Sequence, residues 1–339
     1  MSGAQPLPQV LVARAVFEDV LERLRAHFEV RHNQADAVWS QDELMRRLQG
    51  CAGVFVTGTE PIDARLLDAC PALRAVCSMA VGYNNIDLGA CTARGVLVSN
   101  APGVLTETTA DFGFALMMAA ARRIGESEHF LRAGRWTRWG HDMFAGADVH
   151  GATLGVLGMG RIGQAIARRG AFGFGMPVIY HNRSRLDAAI EASIGARWVD
   201  KDALLRESDH LVLVLPYGPQ SHHAIGEAEL ARMKPGATLT NIARGGIVDD
   251  AALARALRER RIAAAGLDVF EGEPAVHPEL LKLPNVVLTP HIASASLPTR
   301  RAMAHLAADN LIAALGVGEH AWAPPTALNP EVLGARRQA

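Results

Sequence analysis

Cysteine, aromatic side chains and net charge are all scarce in this chain, and each scarcity excludes something. Only four cysteines occur among 339 residues, Cys51, Cys70, Cys77 and Cys91, all in the first third. They show no C-x-x-C spacing and no histidine at metal-ligand spacing, which argues against a disulfide scaffold or a zinc site. Free thiols buried in a reducing cytosol, and no bound metal, are expected. Thirty-four Lys and Arg against 35 Asp and Glu leave a formal net charge of −1, so no basic field draws nucleic acid or an anionic membrane. The longest apolar run, Phe112–Ala121, is too short to span a bilayer. Pro6 and Pro8, soon followed by Glu18, Asp19 and Glu22, do not read as a signal peptide. A cytoplasmic protein without nucleic-acid or membrane partners is expected. Aromatic residues make up 5% of a chain that is 49% hydrophobic, the aliphatic balance of an α/β enzyme, and the length allows two domains with cores of their own.

What the chain does have is glycine in an informative place. Leu154-Gly155-Val156-Leu157 reads as a buried strand running into Gly158-Met159-Gly160-Arg161-Ile162-Gly163 and then into a helix. Gly158 permits a tight turn, Gly160 lets a pyrophosphate approach the backbone, and Gly163 lets the helix pack close to the strand. The helix start then turns N–H groups and the positive end of its dipole toward phosphates. The next strand, Met176–Tyr180, lacks the carboxylate that usually bonds the adenosine ribose. It ends instead in His181-Asn182-Arg183-Ser184-Arg185. An acid there repels a 2′-phosphate, whereas guanidinium groups bind one through charge-assisted hydrogen bonds. These residues favour NADP(H) over NAD(H); a merely solvated charged turn is the competing account.

Strand and helix alternate on both sides of that motif. Before it, Gln9–Ala13, Gly53–Val56, Leu73–Cys77 and Gly95–Ser99 read as strands, with Val16–His27, Ile62–Cys70 and a long segment from about Thr106 to Arg123 as helices. After it, strands are predicted at Gly151–Leu157, Pro177–His181, His210–Leu215, Thr238–Asn241, Ala264–Asp268 and Val286–Thr289, and a last helix at Pro298–Leu315. Such alternation predicts α/β architecture: two Rossmann-like or flavodoxin-like lobes with parallel sheets and a cleft between them. Residues Gly125–His150 break the pattern and read as an irregular arm. Its Trp136 and Trp139 belong either to an interface or to the chain's own core.

Charged and titratable residues follow apolar runs at four places. Arg244 comes after Leu239-Thr240-Asn241 and before Gly245-Gly246. Asp268, Glu271 and Glu273 follow Ala265-Gly266-Leu267, and His291 follows Val287-Leu288-Thr289-Pro290. Upstream, Ala80-Val81-Gly82-Tyr83 forms a loop whose N–H groups suit an anion. Reduction of a ketone by hydride needs a proton donor, for which histidine is suited near neutral pH, and a neighbouring carboxylate favours its charged form. A guanidinium holds a substrate carboxylate and polarises its carbonyl. One Arg, one acid and one His at successive strand ends are what a 2-oxo acid reductase needs.

These segments resemble the D-isomer-specific 2-hydroxyacid dehydrogenases along nearly the whole chain. The carriers are the glycine motif, Asn241-Ile242-Ala243-Arg244-Gly245-Gly246, Gly266-Leu267-Asp268-Val269-Phe270-Glu271-Gly272-Glu273-Pro274 and Thr289-Pro290-His291-Ile292-Ala293-Ser294. Val81-Gly82-Tyr83-Asn84, Asn100–Asp111 and the Asn182–Arg185 turn look most similar to glyoxylate/hydroxypyruvate reductases and bacterial 2-ketogluconate reductases. The resemblance implies a substrate-binding domain of residues 1–103 and 293–339 and an NADP-binding domain of 104–292, with a dimerisation arm at about 125–150. It implies that Arg244 binds the 2-oxo acid, that Glu273 rather than Glu271 pairs with His291, and that His291 donates and accepts the proton. Val81 and Gly82 would hold the substrate carboxylate by their N–H groups, and Trp139 would reach the partner's site in a homodimer. Gly158, Gly160, Arg161, Ile162 and Gly163 would cover the pyrophosphate, and Asn182, Arg183, Ser184 and Arg185 the 2′-phosphate. Leu215 and Pro216 would line the adenosine side; Thr108, Ile242, Ala243, Asp268 and Ala293 the nicotinamide side. Ala293 departs from the usual glycine. The expected activity is NADPH-dependent reduction of glyoxylate and hydroxypyruvate, with 2-keto-D-gluconate as a further candidate. An NAD-dependent dehydrogenase for a bulkier hydroxy acid or formate, and a nucleotide-sensing corepressor-like protein, are the alternatives; the lack of long disordered extensions favours an enzyme.

Overall fold

The structure is a computed structural model that describes residues 6–336. It divides into two compact units, one running up to Leu105 and resuming at Ser296, the other Thr106–Ala295.

The first unit holds β1 (Gln9–Val12), β2 (Glu29–His32), β3 (Gly53–Val56), β4 (Ala75–Ser78) and β5 (Leu97–Ser99). They form one sheet in the order β2-β1-β3-β4-β5, and every pairing is parallel. β3 and β4 are buried along their whole length, as strands covered on both faces by crossover helices must be. Leu11, Val54, Val56, Leu66, Val76 and Val98 join in one core cluster. The 18-residue helix Leu297–Ala314 begins where the Ser296 side chain accepts from Thr299 N–H, with Pro298 in its first turn, a stable start because proline has no N–H to leave unpaired. It packs so close to β3 that a Cβ on Gly53 would lie 2.6 Å from Leu311 Cδ1.

The second unit holds β6 (Leu154–Leu157), β7 (Val178–His181), β8 (Ala196–Trp198), β9 (His210–Leu213), β10 (Thr238–Asn241), β11 (Ala264–Leu267) and β12 (Val286–Leu288). Their order is β12-β11-β10-β9-β6-β7-β8, again entirely parallel. Strand order therefore grows outward in opposite directions from the β6–β9 pair. In such sheets ligands bind beyond the carboxyl ends of the strands at that reversal. The helix Thr106–Ala121 crosses β10 and β11, and a Cβ on Gly266 would lie 2.8 Å from Leu116 Cγ. Arg169 anchors this helix by bonding both Glu107 and Asp111.

Several sequence expectations need correction. Residues Gly125–His150 are not irregular throughout, because Ile124–Arg132 is a helix. β2 and β8 escaped notice. β2 is Glu-Val-Arg-His and mostly exposed, and β8 is three residues long, so neither edge strand carries an apolar run. All four cysteines are buried and free, and burial pushes Cys77 and Cys91 up to about 12. Among the described residues no helix is long and apolar enough to cross a membrane.

Candidate active site

Three successive loops leave the carboxyl ends of β10, β11 and β12. After β10 the buried amide of Asn241 shapes the turn: its Oδ1 accepts from Ala243 N–H at 3.0 Å and its Nδ2 donates to the Arg244 carbonyl at 3.2 Å. A Cβ on Gly245 would collide with the Phe270 carbonyl. Only glycine lets this turn lie against the loop after β11. Burial lowers the pKa of Arg244 while the charge of Glu273 opposes that shift; the guanidinium stays cationic.

β11 delivers Asp268, which is 0% exposed. Its Oδ1 accepts from Thr289 Oγ1 at 2.7 Å and Ile292 N–H at 2.8 Å, and its Oδ2 from Ala293 N–H at 2.8 Å. Its carbonyl accepts from His291 N–H at 2.9 Å. One carboxylate thus fixes the entire loop after β12. That loop needs fixing, because His291 has φ +53°, a left-handed conformation that costs a non-glycine residue about 1–3 kcal/mol.

The imidazole it presents is paired. His291 Nδ1 lies 2.7 Å from Glu273 Oε2, while Glu273 Oε1 accepts from Phe270 N–H at 2.9 Å. Burial pushes the Glu273 carboxyl up, but the hydrogen bonds from His291 and Phe270 and the charges of His291 and Arg244 outweigh it, and the net shift is downward. An ionised carboxylate has no proton to give, so Nδ1 carries the hydrogen and Nε2 is left for a substrate. Glu271 instead faces His223 Nε2 at 3.1 Å.

At the end of β6 each glycine shows its reason. Gly158 has φ +103° and a Cβ there would lie 2.6 Å from the Val214 carbonyl. A Cβ on Gly163 would strike the Gly158 carbonyl, and one on Gly160 would meet nothing within 4 Å. The helix Arg161–Arg168 starts after Gly160 with no side-chain cap, so its first N–H groups, those of Arg161 and Ile162 among them, have no intrahelical partner. Open space before uncapped donors fits a pyrophosphate. Asn182 Oδ1 accepts from Met159 N–H at 2.7 Å, tying the turn after β7 to this loop. Leu215 follows β9 half-buried with Pro216 exposed after it, Thr108 is half-buried in its helix, and Ile242, Ala243 and Ala293 are buried.

Comparison with known proteins agrees with this construction. Residues 114–293 match the family described as "D-isomer specific 2-hydroxyacid dehydrogenase, NAD binding domain". The glyoxylate reductase of Thermococcus onnurineus is 46% identical over 334 residues, covering 97% of this chain and 98% of that protein. That of Korarchaeum cryptofilum is 48% identical over 332 residues, with the same coverage. The chain belongs to the D-isomer specific 2-hydroxyacid dehydrogenase family. Among solved members, the NADPH-dependent glyoxylate/hydroxypyruvate reductase from Sinorhizobium meliloti, in complex with NADP and malonate, is 36% identical with TM-score 0.82, over 95% of this chain and 97% of that one.

Within this dehydrogenase several of the expected site residues have protein partners of their own. Arg185, expected to share the 2′-phosphate, is held by Glu191 in a two-pronged ion pair, Nε to Oε1 at 2.9 Å and Nη2 to Oε2 at 2.7 Å. Arg183 and Ser184 are exposed, and Arg183 has a 3.4 Å contact with Gln220. The Asp268 carboxylate is an anchor inside the fold. Trp136 and Trp139 are 54% and 75% exposed, which removes burial in the chain's own core as their explanation. Val81 and Gly82 lie in the first unit after β4, where Val81 O accepts from Asn100 Nδ2 at 2.7 Å. Among the described residues one group, His222, His223 and Glu271, brings possible metal-ligand atoms within 4.8 Å of one another; Glu271 pairs with His223, and the His222 and His223 rings stack at 3.9 Å. Sequence reasoning missed Thr289 and Glu191, whose roles depend on partners 21 and 6 residues away.

Proposed function

We propose that this dehydrogenase is an NADPH-dependent reductase of small 2-oxo acids, acting on glyoxylate and hydroxypyruvate, with 2-keto-D-gluconate as a further substrate, to give D-2-hydroxy acids. The observation that carries the proposal is the His291 Nδ1–Glu273 Oε2 bond of 2.7 Å, which leaves Nε2 to serve as acid. Support for glyoxylate comes from the relatives at 43–48% identity that bear the name glyoxylate reductase. Support for NADPH comes from the missing carboxylate after β7, the exposed Arg183 and Ser184, and the NADP complex of the Sinorhizobium relative.

The glycine loop with Arg161 and Ile162 is the proposed hold on the pyrophosphate, Arg183 and Ser184 that on the 2′-phosphate, and Leu215 and Pro216 flank the adenosine. Thr108, Ile242, Ala243 and Ala293 form the nicotinamide side, and Asp268 acts there through the loop it anchors. When bound, the nicotinamide supplies a hydride from its C4. His291 Nε2 donates a proton to the substrate oxygen that becomes hydroxyl, and Glu273 stabilises and orients the imidazolium. Arg244 binds the substrate carboxylate and polarises the carbonyl. The exposed Ile124, Leu131, Trp136 and Trp139 support a homodimer through this segment, and light scattering of Trp139→Ala against the parent tests it. Activity is tested by following nicotinamide absorbance in purified protein with NADPH and each 2-oxo acid. Loss of absorbance with glyoxylate is expected; none with any of the three acids would leave a nucleotide-sensing protein as the better description.

A further inference from the structure

The turn after β7 is pinned on both sides of two exposed residues. On the near side Asn182 bonds Met159 N–H through Oδ1 and accepts from the Trp198 indole N–H through its carbonyl at 3.3 Å. On the far side Tyr180, fully buried in β7, accepts from Leu186 N–H at 2.8 Å and donates to Glu191 Oε1 at 2.6 Å. Glu191 is itself buried, on the helix Ala188–Ile194, and grips Arg185 with both oxygens. Strand, turn and helix are closed into one ring by a single carboxylate. Arg183 and Ser184 stand between the pins.

We propose that Glu191, acting through Arg185 and Tyr180, is a positioning residue that sets this enzyme's preference for a 2′-phosphorylated adenosine. The proposal rests on the NADPH reading above. Two physical effects follow from the ring. It pre-orders the backbone that presents Arg183 and Ser184, so less freedom is lost when a phosphate is bound. It also compensates the Arg185 charge, leaving Arg183 as the turn's one cation without a carboxylate partner in this network. Arg185 is then a strut and Arg183 the ligand, although the two stand two residues apart and look equivalent in sequence.

The probes are 2′,5′-ADP and 5′-AMP, which differ by the 2′-phosphate alone, titrated calorimetrically into the full-length protein, together with KM for NADPH and NADH. Arg183→Ala should weaken 2′,5′-ADP by about tenfold or more, the scale of a lost charge-assisted bond, and leave 5′-AMP nearly unchanged. Glu191→Gln should weaken 2′,5′-ADP by about fivefold with 5′-AMP within about twofold, and Tyr180→Phe should act in the same direction but less. KM should follow for NADPH and not for NADH, with kcat little altered. If Arg183→Ala leaves the ratio of the two nucleotides unchanged, the NADPH reading fails and this proposal with it. If Arg183→Ala collapses the ratio but Glu191→Gln does not, or if Glu191→Gln tightens 2′,5′-ADP because a released Arg185 becomes a ligand, the positioning role alone is overturned. Equal weakening of both nucleotides would mark the ring as structural only, and Tyr180→Phe decides the matter should Glu191→Gln not fold.

Discussion

Two buried carboxylates organise opposite wings of the seven-stranded sheet, and they do so by different means. Asp268, at the end of β11, takes backbone N–H groups of Ile292 and Ala293 and the Thr289 hydroxyl. Glu191, beyond β7, takes side chains, the Arg185 guanidinium and the Tyr180 hydroxyl. The first arrangement fixes a main-chain path, including a left-handed His291. The second fixes a turn while leaving its exposed residues free to meet a ligand. Chemistry needs an imidazole held in one place, and recognition of a phosphate needs cations that are pre-ordered but accessible. Those are the needs of the roles proposed for His291 and for Arg183 with Ser184.

The comparison breaks first at Asp268. Asp268→Asn keeps the size but puts an NH2 against an N–H donor in a fully buried site, which costs on the order of 1–3 kcal/mol and releases the loop that carries His291. Turnover should fall about a hundredfold and the melting temperature should drop; unchanged kcat and melting temperature would mean the loop is held by something else. Next is Arg244→Met. It should raise KM for glyoxylate by about 10- to 100-fold, the equivalent of a charged hydrogen bond worth roughly 1.5–3 kcal/mol, with the NADPH dissociation constant unaffected. A parallel loss of NADPH binding would place Arg244 in a structural role.

The remaining effects are acid-side and smaller. The folded pKa of Glu273 lies below its ordinary 4.5, so its ion pair stabilises the fold above that value and is lost as pH falls through the lower folded value. Glu191 is lowered by Arg185, then by Tyr180, to about 2, and its contribution disappears as pH falls from about 4.5 toward 2. Glu273→Gln and Glu191→Gln should each flatten the fall of stability with acid, read from urea midpoints between neutral pH and pH 3. A variant as acid-sensitive as the parent would deny that carboxylate its share.

What was legible in the sequence follows from how narrowly each position is constrained. The three glycines were legible because only glycine tolerates φ +103° at Gly158 or the contacts at Gly163. The buried central strands were legible as apolar runs between turns, and Arg244 and His291 because polar residues closely followed those runs, whereas Glu273 was one of three acids after its strand and only the family resemblance singled it out. β2 and β8 were not, since edge strands expose their side chains and need no such run. The helix Ile124–Arg132 was hidden by Gly125, Gly134 and the tryptophans that follow. The difference between Arg183 and Arg185 was illegible for a deeper reason. It depends on a carboxylate on the next helix, and nothing local in Asn-Arg-Ser-Arg says which guanidinium that carboxylate will take.

His291, held by Glu273, is the proposed proton donor. The direct measurement is His291→Ala, with kcat on glyoxylate and the dissociation constant of NADPH taken on the same preparation. Loss of general acid catalysis predicts a fall in kcat of about 10²–10⁴-fold, with NADPH binding within about threefold of the parent. A kcat within tenfold of the parent, or NADPH binding lost in step with turnover, would contradict it.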